Sequence, residues 1–451
     1  MSNHHLPTPP PAAHHRADHD CDVLVIGGGP AGSTAATRLA EKGHHVTLLE
    51  KAHHPRFHIG ESLLPANMPL LDQLGVRAEV EAIGMQKWGA EFVSPWHDHQ
   101  QSFEFADAWD KSMPSAFQVR RSEFDDILIR NAARKGAKVI EGCRVRDVAF
   151  LPDNAGAIVH AEHDDGRSET WRCRFLVDAS GRDTFLGNRL KAKQRNPMHN
   201  SSALYGHFTG AQRNCGKKEG HISIFWFEHG WLWFIPLADG TTSIGVVTWP
   251  HHLKTRKNSV KEFFLEQIAL CPAMALRLKD AELVSEVEAT GNFSYSCDRS
   301  HGDTYLLLGD AYAFVDPVFS SGVMLAMKSG FEGADAIDTC LRQPEKSAAA
   351  LKRFDKVMKH GPKEFSWFIY RVTNPTMRNL FMEPSNMFRV QEALLSVLAG
   401  DIYGKTPIWG SLRVLKLIYY IASLTNLKRT LLAWKRRKFN IRYVEEAEGS
   451  A

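Results

Sequence analysis

The strongest constraint on this chain is the stretch from Cys21 to Glu50, CDVLVIGGGPAGSTAATRLAEKGHHVTLLE. An apolar run, Val23 to Ile26, meets a turn in which Gly27, Gly29 and Gly32 have the spacing G-x-G-x-x-G. A helical pattern follows, then a second apolar run, Val46 to Leu49, ending on Glu50. Strand, glycine turn, helix, strand and acid in that order make a dinucleotide-binding unit. The first glycine permits the tight turn, the second lets a pyrophosphate approach the backbone, and the third lets helix and strand pack closely. The helix amino end presents N–H groups and partial positive charge to the phosphates without needing a cationic side chain. Glu50 stands where an acid accepts the ribose hydroxyls and repels a 2'-phosphate, so the adenosine half reads as FAD- or NAD-like.

The length of 451 residues suggests two to three domains, and a hydrophobic share of 43% with 24% charged residues is that of an ordinary globular protein. A net charge of +4 over this length argues against a nucleic-acid binder. The seven cysteines are scattered and never form C-x-x-C, which points to a reducing, cytoplasmic setting and to neither a zinc site nor a disulfide frame. Residues 1–19, rich in Pro, His and Ala, read as a disordered leader without the apolar region of a secretory signal. The pairs His4/His5 and His14/His15 lack a fixed geometry for a metal, and no metal site is expected.

Beyond Glu50, PRFHIGES (55–62) reads as a loop, with Ser62 capping a helix that carries Pro65 in its first turn. Lys87, between Met85 and Trp88, begins a strand-like run; its local pattern alone favours a solvated lysine. The segment 117–134 passes from a strand into an amphipathic helix capped by Ser122. Arg121 is placed to reach a phosphate or the ribityl chain and Arg120 to face solvent. Residues 138–178 read as strands and hairpins, the last ending in DASGR. From about 200 to 290 strand patterns continue without helices, with Asp239-Gly240 as a hairpin turn. Trp226, Trp231, Trp233 and Trp249 suggest an aromatic wall suited to a planar ring or a channel. Residues 303–335 return to the first pattern: a strand ends at Gly309-Asp310, and a loop with Pro317 enters a helix near Ser321-Gly322. Asp310 can accept a ribityl hydroxyl, and the turn's N–H groups form an anion-sized nest. The tail is mostly helical. Its apolar stretch 412–427 contains Arg413 and Lys416 and falls short of the ~20 clean residues of a membrane span. The basic element 428–439 reads as a solvated face able to dock an acidic partner or a membrane surface.

The fold expected is α/β, with a Rossmann-like FAD-binding domain, an inserted mainly antiparallel sheet domain and a helical C-terminal region. The boundaries expected are 20–195 and 301–345 for the FAD-binding parts, 196–300 for the sheet domain with a contribution near 85–118, and 346–451 for the helical region.

Over residues 20–340 the chain resembles flavin-dependent halogenases, within the two-domain FAD monooxygenases. GGGPAG with Glu50, V-x-R-x-x-F-D at Val119 to Asp125, DASGR and Gly309-Asp310 match the superfamily, and would suit an NAD(P)H-dependent aromatic hydroxylase equally. More specific are Trp231 to Pro236 for W-x-W-x-I-P, Phe314 to Gly322 for F-x-x-P-x-x-S-x-G, and Lys87 in K-x-G-x-x-F. FHIGESLLP resembles the phenol and pyrrole branch.

The resemblance implies that reduced FAD, O2 and chloride or bromide give hypohalous acid. This oxidant then passes a tunnel lined by Trp231, Trp233, Ile235 and Pro236 to Lys87, which delivers the halogen. It also implies FAD held by Gly27, Gly29, Gly32, Glu50, Ser62, Arg121, Gly309, Asp310, Pro317 and Gly322, and halide held by the backbone N–H groups of Ser321 and Gly322. Tryptophan halogenases carry a glutamate where this chain has Phe319, which favours a phenol or pyrrole substrate, free or tethered to an acyl carrier protein. No second glycine motif for a nicotinamide is evident, so a separate flavin reductase is expected to supply FADH2.

Overall fold

The computed structural model describes residues 17–291 and 294–448, with side chains to residue 440. The histidine pairs of the leader lie outside the described residues. The Asp18 carboxylate accepts bonds from the backbone N–H and hydroxyl of Thr170 just before the strand His19–Ile26.

That strand is central in a seven-stranded sheet. Val46–Leu49 and Ser168–Asp178 flank it in parallel, Lys138–Ile140 continues one side, and Tyr305–Leu307 pairs parallel to the end of Ser168–Asp178. The first half of Ser168–Asp178 pairs instead with Ala157–His163, antiparallel, followed by Cys143–Phe150. The register aligns Ile26 with Leu49 and with Asp178, and Asp178 with Leu307. The carboxyl ends of these strands therefore deliver the glycine turn, Glu50, the Asp178 turn and Asp310 to one edge, where ligands bind in open parallel sheets.

The second sheet has eight strands, all antiparallel except where Ile222–Phe227 meets Gly89–Val93. The side chains of its central strands alternate. Ile224, Trp226, Trp231, Trp233 and Ile235 join a core with the C-terminal helices, whereas Phe225, Phe227, Leu232 and Phe234 join another. The second core is built with the helices Val260–Ala269 and Pro272–Arg277, which correct the expectation of an uninterrupted run of strands. Their signal is local and real: Ser259 accepts from the backbone of Glu262, and the Glu262 carboxylate accepts from the backbone of Ser259.

Two other expectations shift. Ser62 caps no helix; it forms a lone bridge with Gln118, and a 3-10 turn at Pro65–Asn67 precedes the helix Met68–Leu74. Ser122 lies inside the helix Arg121–Arg134, which Arg120 precedes without a side-chain cap. Five helices from Ser347 onward form the tail. The molecule is thus α/β: a Rossmann-like layer, a mainly antiparallel sheet and a helical C-terminal region.

Candidate active site

A cavity of about 690 Å³ opens along the carboxyl edge of the first sheet. The glycine turn shapes its floor. Gly27 has φ +98, and a Cβ there would meet the Ala179 carbonyl oxygen at 2.4 Å; a Cβ on Gly32 would meet the Gly27 oxygen at 2.0 Å. At Gly29 the nearest atom to an added Cβ is Nη2 of Arg56, 3.7 Å away, so the space above this residue is left for a ligand. Glu50 accepts from the backbone N–H of Gly28 at 2.6 Å and of Ala52 at 2.8 Å, fixing its carboxylate at the cavity wall. Arg56, which the sequence reading passed over, lies 4.0 Å from Glu50 and 3.6 Å from Asp125. It brings a cation to the glycine-turn end of the cavity.

Opposite, Gly309 adopts φ +52 and turns Asp310 into the cavity. Burial raises the Asp310 carboxyl to about 6 against the pull of Arg182 and Arg121. Arg121 lines the cavity, but its guanidinium is already engaged by both Asp125 oxygens, at 2.8 and 3.0 Å, and by the Ile59 carbonyl at 2.9 Å. It braces the 55–62 loop rather than standing ready for a phosphate. Arg120 is not simply solvated: it donates to Asp239 at 2.6 Å and Thr241 at 2.7 Å, tying its helix to the hairpin turn.

Pro317, Ser320, Ser321 and Gly322 also line the cavity. Ser320 is left-handed, φ 55, and the 21-residue helix Gly322–Arg342 starts immediately afterwards with no side-chain cap. A Cβ on Gly322 would meet nothing within 4 Å, so the helix amino end faces open space. The turn is clamped from behind. Asp316 accepts from Ser201 at 2.7 Å, from the Val318 backbone at 3.1 Å, and shares a 2.8 Å bond with His199 Nε2.

Trp231, Trp233 and Ile235 occupy one face of their strand and reach the cavity, as period-two alternation requires. Pro236 falls on the other parity and does not line it; nor do Trp226 and Trp249. Trp226 stacks on Phe92 with ring centroids 5.4 Å apart, and Trp249 lies against His199. Phe319 is buried, its centroid 6.3 Å from those of Phe368 and Phe381, so an aromatic cluster fills the position where the resemblance places a glutamate.

Lys87 is 1% exposed, at the end of the strand Met85–Lys87. Its amine donates to Ser62 Oγ and the Leu63 carbonyl, both at 2.9 Å, and stands 5.2 Å from the Phe105 ring centroid. Burial lowers it to about 7. Lys87 is not on the wall of the large cavity, whereas Ser62 is, so a single hydroxyl separates amine and cavity. Two groups near this lysine escaped sequence reading. Gln118, bridged to Ser62, has a buried Oε1 with no hydrogen-bond partner, and the buried ring of His221 makes no hydrogen bond, its Nε2 lying 3.6 Å from a Glu104 oxygen. Burial lowers His221 below the usual histidine range, against the pull of Glu104 and Glu91.

The site fits FAD, and the comparisons agree with it. Residues 20–349 match the FAD binding domain family. A 1H-pyrrole-2-carbonyl-(peptidyl-carrier protein) chlorinase of Pseudomonas fluorescens is 32% identical over 414 residues, 86% of this chain and 90% of the relative. A tryptophan 2-halogenase of Chondromyces crocatus is 36% identical over 346 residues, 74% of this chain and 64% of the relative. Among solved structures, a myxobacterial chondrochloren halogenase superposes with a TM-score of 0.76 at 32% identity, covering 90% of this chain and 97% of that one. A flavoprotein/dehydrogenase of Cytophaga hutchinsonii superposes with a TM-score of 0.82 at 30% identity, covering 90% and 100%. The chain belongs to the flavin-dependent halogenases, FAD-binding oxidoreductases that use FADH2 to halogenate aromatic compounds.

Proposed function

We propose that this halogenase modifies a phenol or pyrrole, free or carrier-tethered, through Lys87, with FADH2 delivered by a separate flavin reductase in the cytoplasm. The observation that carries the reading is the buried amine of Lys87, one Ser62 hydroxyl away from the cavity that fits FAD. When bound, reduced flavin would supply the two electrons that activate O2 for oxidation of chloride or bromide. Gly27, Gly29, Gly32 and Arg56 would hold its phosphates, Glu50 the ribose and Asp310 the ribityl chain. Ser321 and Gly322 offer neutral N–H donors, which suit a large, weakly hydrated halide. Trp231, Trp233 and Ile235 present apolar walls that keep the organic substrate from the flavin.

Burial lowers the Lys87 amine to about 7, which brings its neutral form within reach near neutral pH. The neutral amine can attack the halogen of hypohalous acid, forming an N–halogen bond as the O–halogen bond breaks and the hydroxide leaves as water with the amine's proton; the ammonium can instead hydrogen-bond the acid. The unpartnered Oε1 of Gln118 suits the N–H or O–H of an aromatic substrate. Phe319 supports a self-activated ring, since no carboxylate stands in its place to assist an indole. Carrier tethering is supported by the chlorinase relative, whose named substrate is carrier-bound. The reducing compartment is supported by seven cysteines that are all unpaired.

Reconstitution with a flavin reductase, chloride or bromide and a panel of phenols and pyrroles, read by mass spectrometry, tests this. Lys87→Ala should abolish product while FAD still binds; normal halogenation by that variant would refute the role of the lysine. The dehydrogenase-named structural relative motivates a second reading, direct NAD(P)H oxidation. It requires substrate-stimulated NADPH consumption without the reductase.

A further inference from the structure

The last two helices, Trp409–Thr425 and Leu427–Glu448, present an outward face unlike that of an ordinary globular surface. Leu417, Tyr420, Ile421 and Leu424 recur at helical spacing and are 48 to 69% exposed; Leu431 and Trp434 extend the apolar surface onto the second helix. Lys428, Arg429, Lys435 and Lys438 are exposed beside them. From Trp409 to Asn440 the sequence holds eight Lys or Arg residues and no Asp or Glu.

The inner face is anchored, so the outer one cannot roll inward. Leu412, Leu415 and Tyr419 are buried in the core behind the tryptophan strand. Arg437 donates to the carbonyls of Met198 and Tyr370, and Arg436 pairs with Glu228 at 2.9 Å.

We propose that this helix pair docks the enzyme on an anionic lipid bilayer. Its leucines, isoleucine and tryptophan enter the boundary between headgroups and acyl chains, and its lysines and arginines meet lipid phosphates. No helix among the described residues is long and apolar enough to cross a membrane, so the pair lies on the surface. Three other occupants fit less well. A second copy placed face to face would set the cations of residues 409–440 against one another. Residues 1–16 contain no Asp or Glu, and only Met1 and Leu6 as large aliphatics, so they supply neither negative charge nor much apolar area. An acidic protein domain answers the charge, but it must also offer a groove for each protruding side chain. A bilayer takes up such side chains without shape complementarity.

The test is co-sedimentation of the full-length, FAD-loaded enzyme with sucrose-filled vesicles. Phosphatidylcholine alone is compared with phosphatidylcholine containing about 30% phosphatidylglycerol, at low salt and at about 0.5 M salt. The anionic vesicles should retain the enzyme roughly ten-fold more strongly, and high salt should weaken that retention. Two double variants, Leu424→Asp with Trp434→Asp and Lys428→Glu with Lys435→Glu, should each lose it while keeping melting temperature and halogenase turnover. Trp434→Phe should still bind but lose part of the fluorescence quenching by brominated lipids. Equal recovery on neutral and anionic vesicles overturns the proposal, as does wild-type binding by both double variants. So does failure to bind vesicles combined with stoichiometric, variant-sensitive binding of an acidic carrier protein.

Discussion

At the scale of single residues, Lys87 is held at a cost to stability. Its folded-state value of about 7 lies well below the ordinary lysine value near 10.5. Below pH 7 both folded and unfolded chains carry the proton, and the desolvation penalty is present in full. Between pH 7 and about 10.5 the unfolded chain binds more protons, so stability rises with pH as the penalty is relieved. Lys87→Met removes the charge and keeps the length. It should therefore stabilise the fold by up to about 4 kcal/mol at pH 6, a gain that shrinks toward zero near pH 10, read by urea denaturation across that range. Asp310 behaves in the opposite sense. Burial holds its carboxyl near 6, while hydroxyl donors of a ribityl chain favour the ionised form, so binding below pH 6 must expel a proton. FAD affinity of the apoprotein should increase about ten-fold from pH 5 to pH 7, and Asp310→Asn should flatten that dependence in fluorescence titrations. Residues such as Glu50 and Asp310 could be read from the sequence because each ends an apolar run. Arg56, Gln118 and His221 could not, since their importance arises from chain segments distant in sequence.

At the scale of elements, the dinucleotide helix Pro30–Glu41 and the helix Gly322–Arg342 are locked together at Gly330. A Cβ there would meet the Ala31 oxygen and the Thr34 Cβ, both at 2.8 Å. This contact joins the two distant pieces of the flavin-binding layer. Gly330→Val should force the helices apart, lower the melting temperature by an amount equivalent to about 1–3 kcal/mol and weaken FAD retention on gel filtration. Unchanged values for both would show that the helix pair has slack. Elements with a local cause were legible in the sequence: the glycine turn, the hairpin at Asp239-Gly240, the strand ending at Asp310 and the helix starting at Gly322. The helix assigned from Ser62 was not, because the Ser62 hydroxyl serves a lysine brought in by a neighbouring strand. The tryptophan strand shows the same division. Its aromatic density was plain, but only the fold shows that Trp231 and Trp233 face the cavity while Trp226 packs into the core and Pro236 turns away.

At the scale of the whole molecule, the C-terminal helices are structural members of the active-site half. Phe381, on the helix Pro375–Met382, is fully buried with its ring centroid 4.9 Å from Phe92 and 6.3 Å from Phe103, Trp226 and Phe319. One ring thus touches the antiparallel sheet and, through Phe319, the turn before Gly322, and it carries the tail that binds them together. Truncating it leaves a cavity bounded by three separate parts of the chain, which cannot collapse without moving Phe319 and the turn that follows it. Phe381→Ala should therefore cost about 3–5 kcal/mol of stability. At a temperature where the variant remains folded, the displaced turn should also raise the halide KM more than it changes FAD affinity. A drop in stability with an unaltered halide KM would mean that the tail supports the sheet alone; a change in both fits a turn positioned from the far side of the aromatic core.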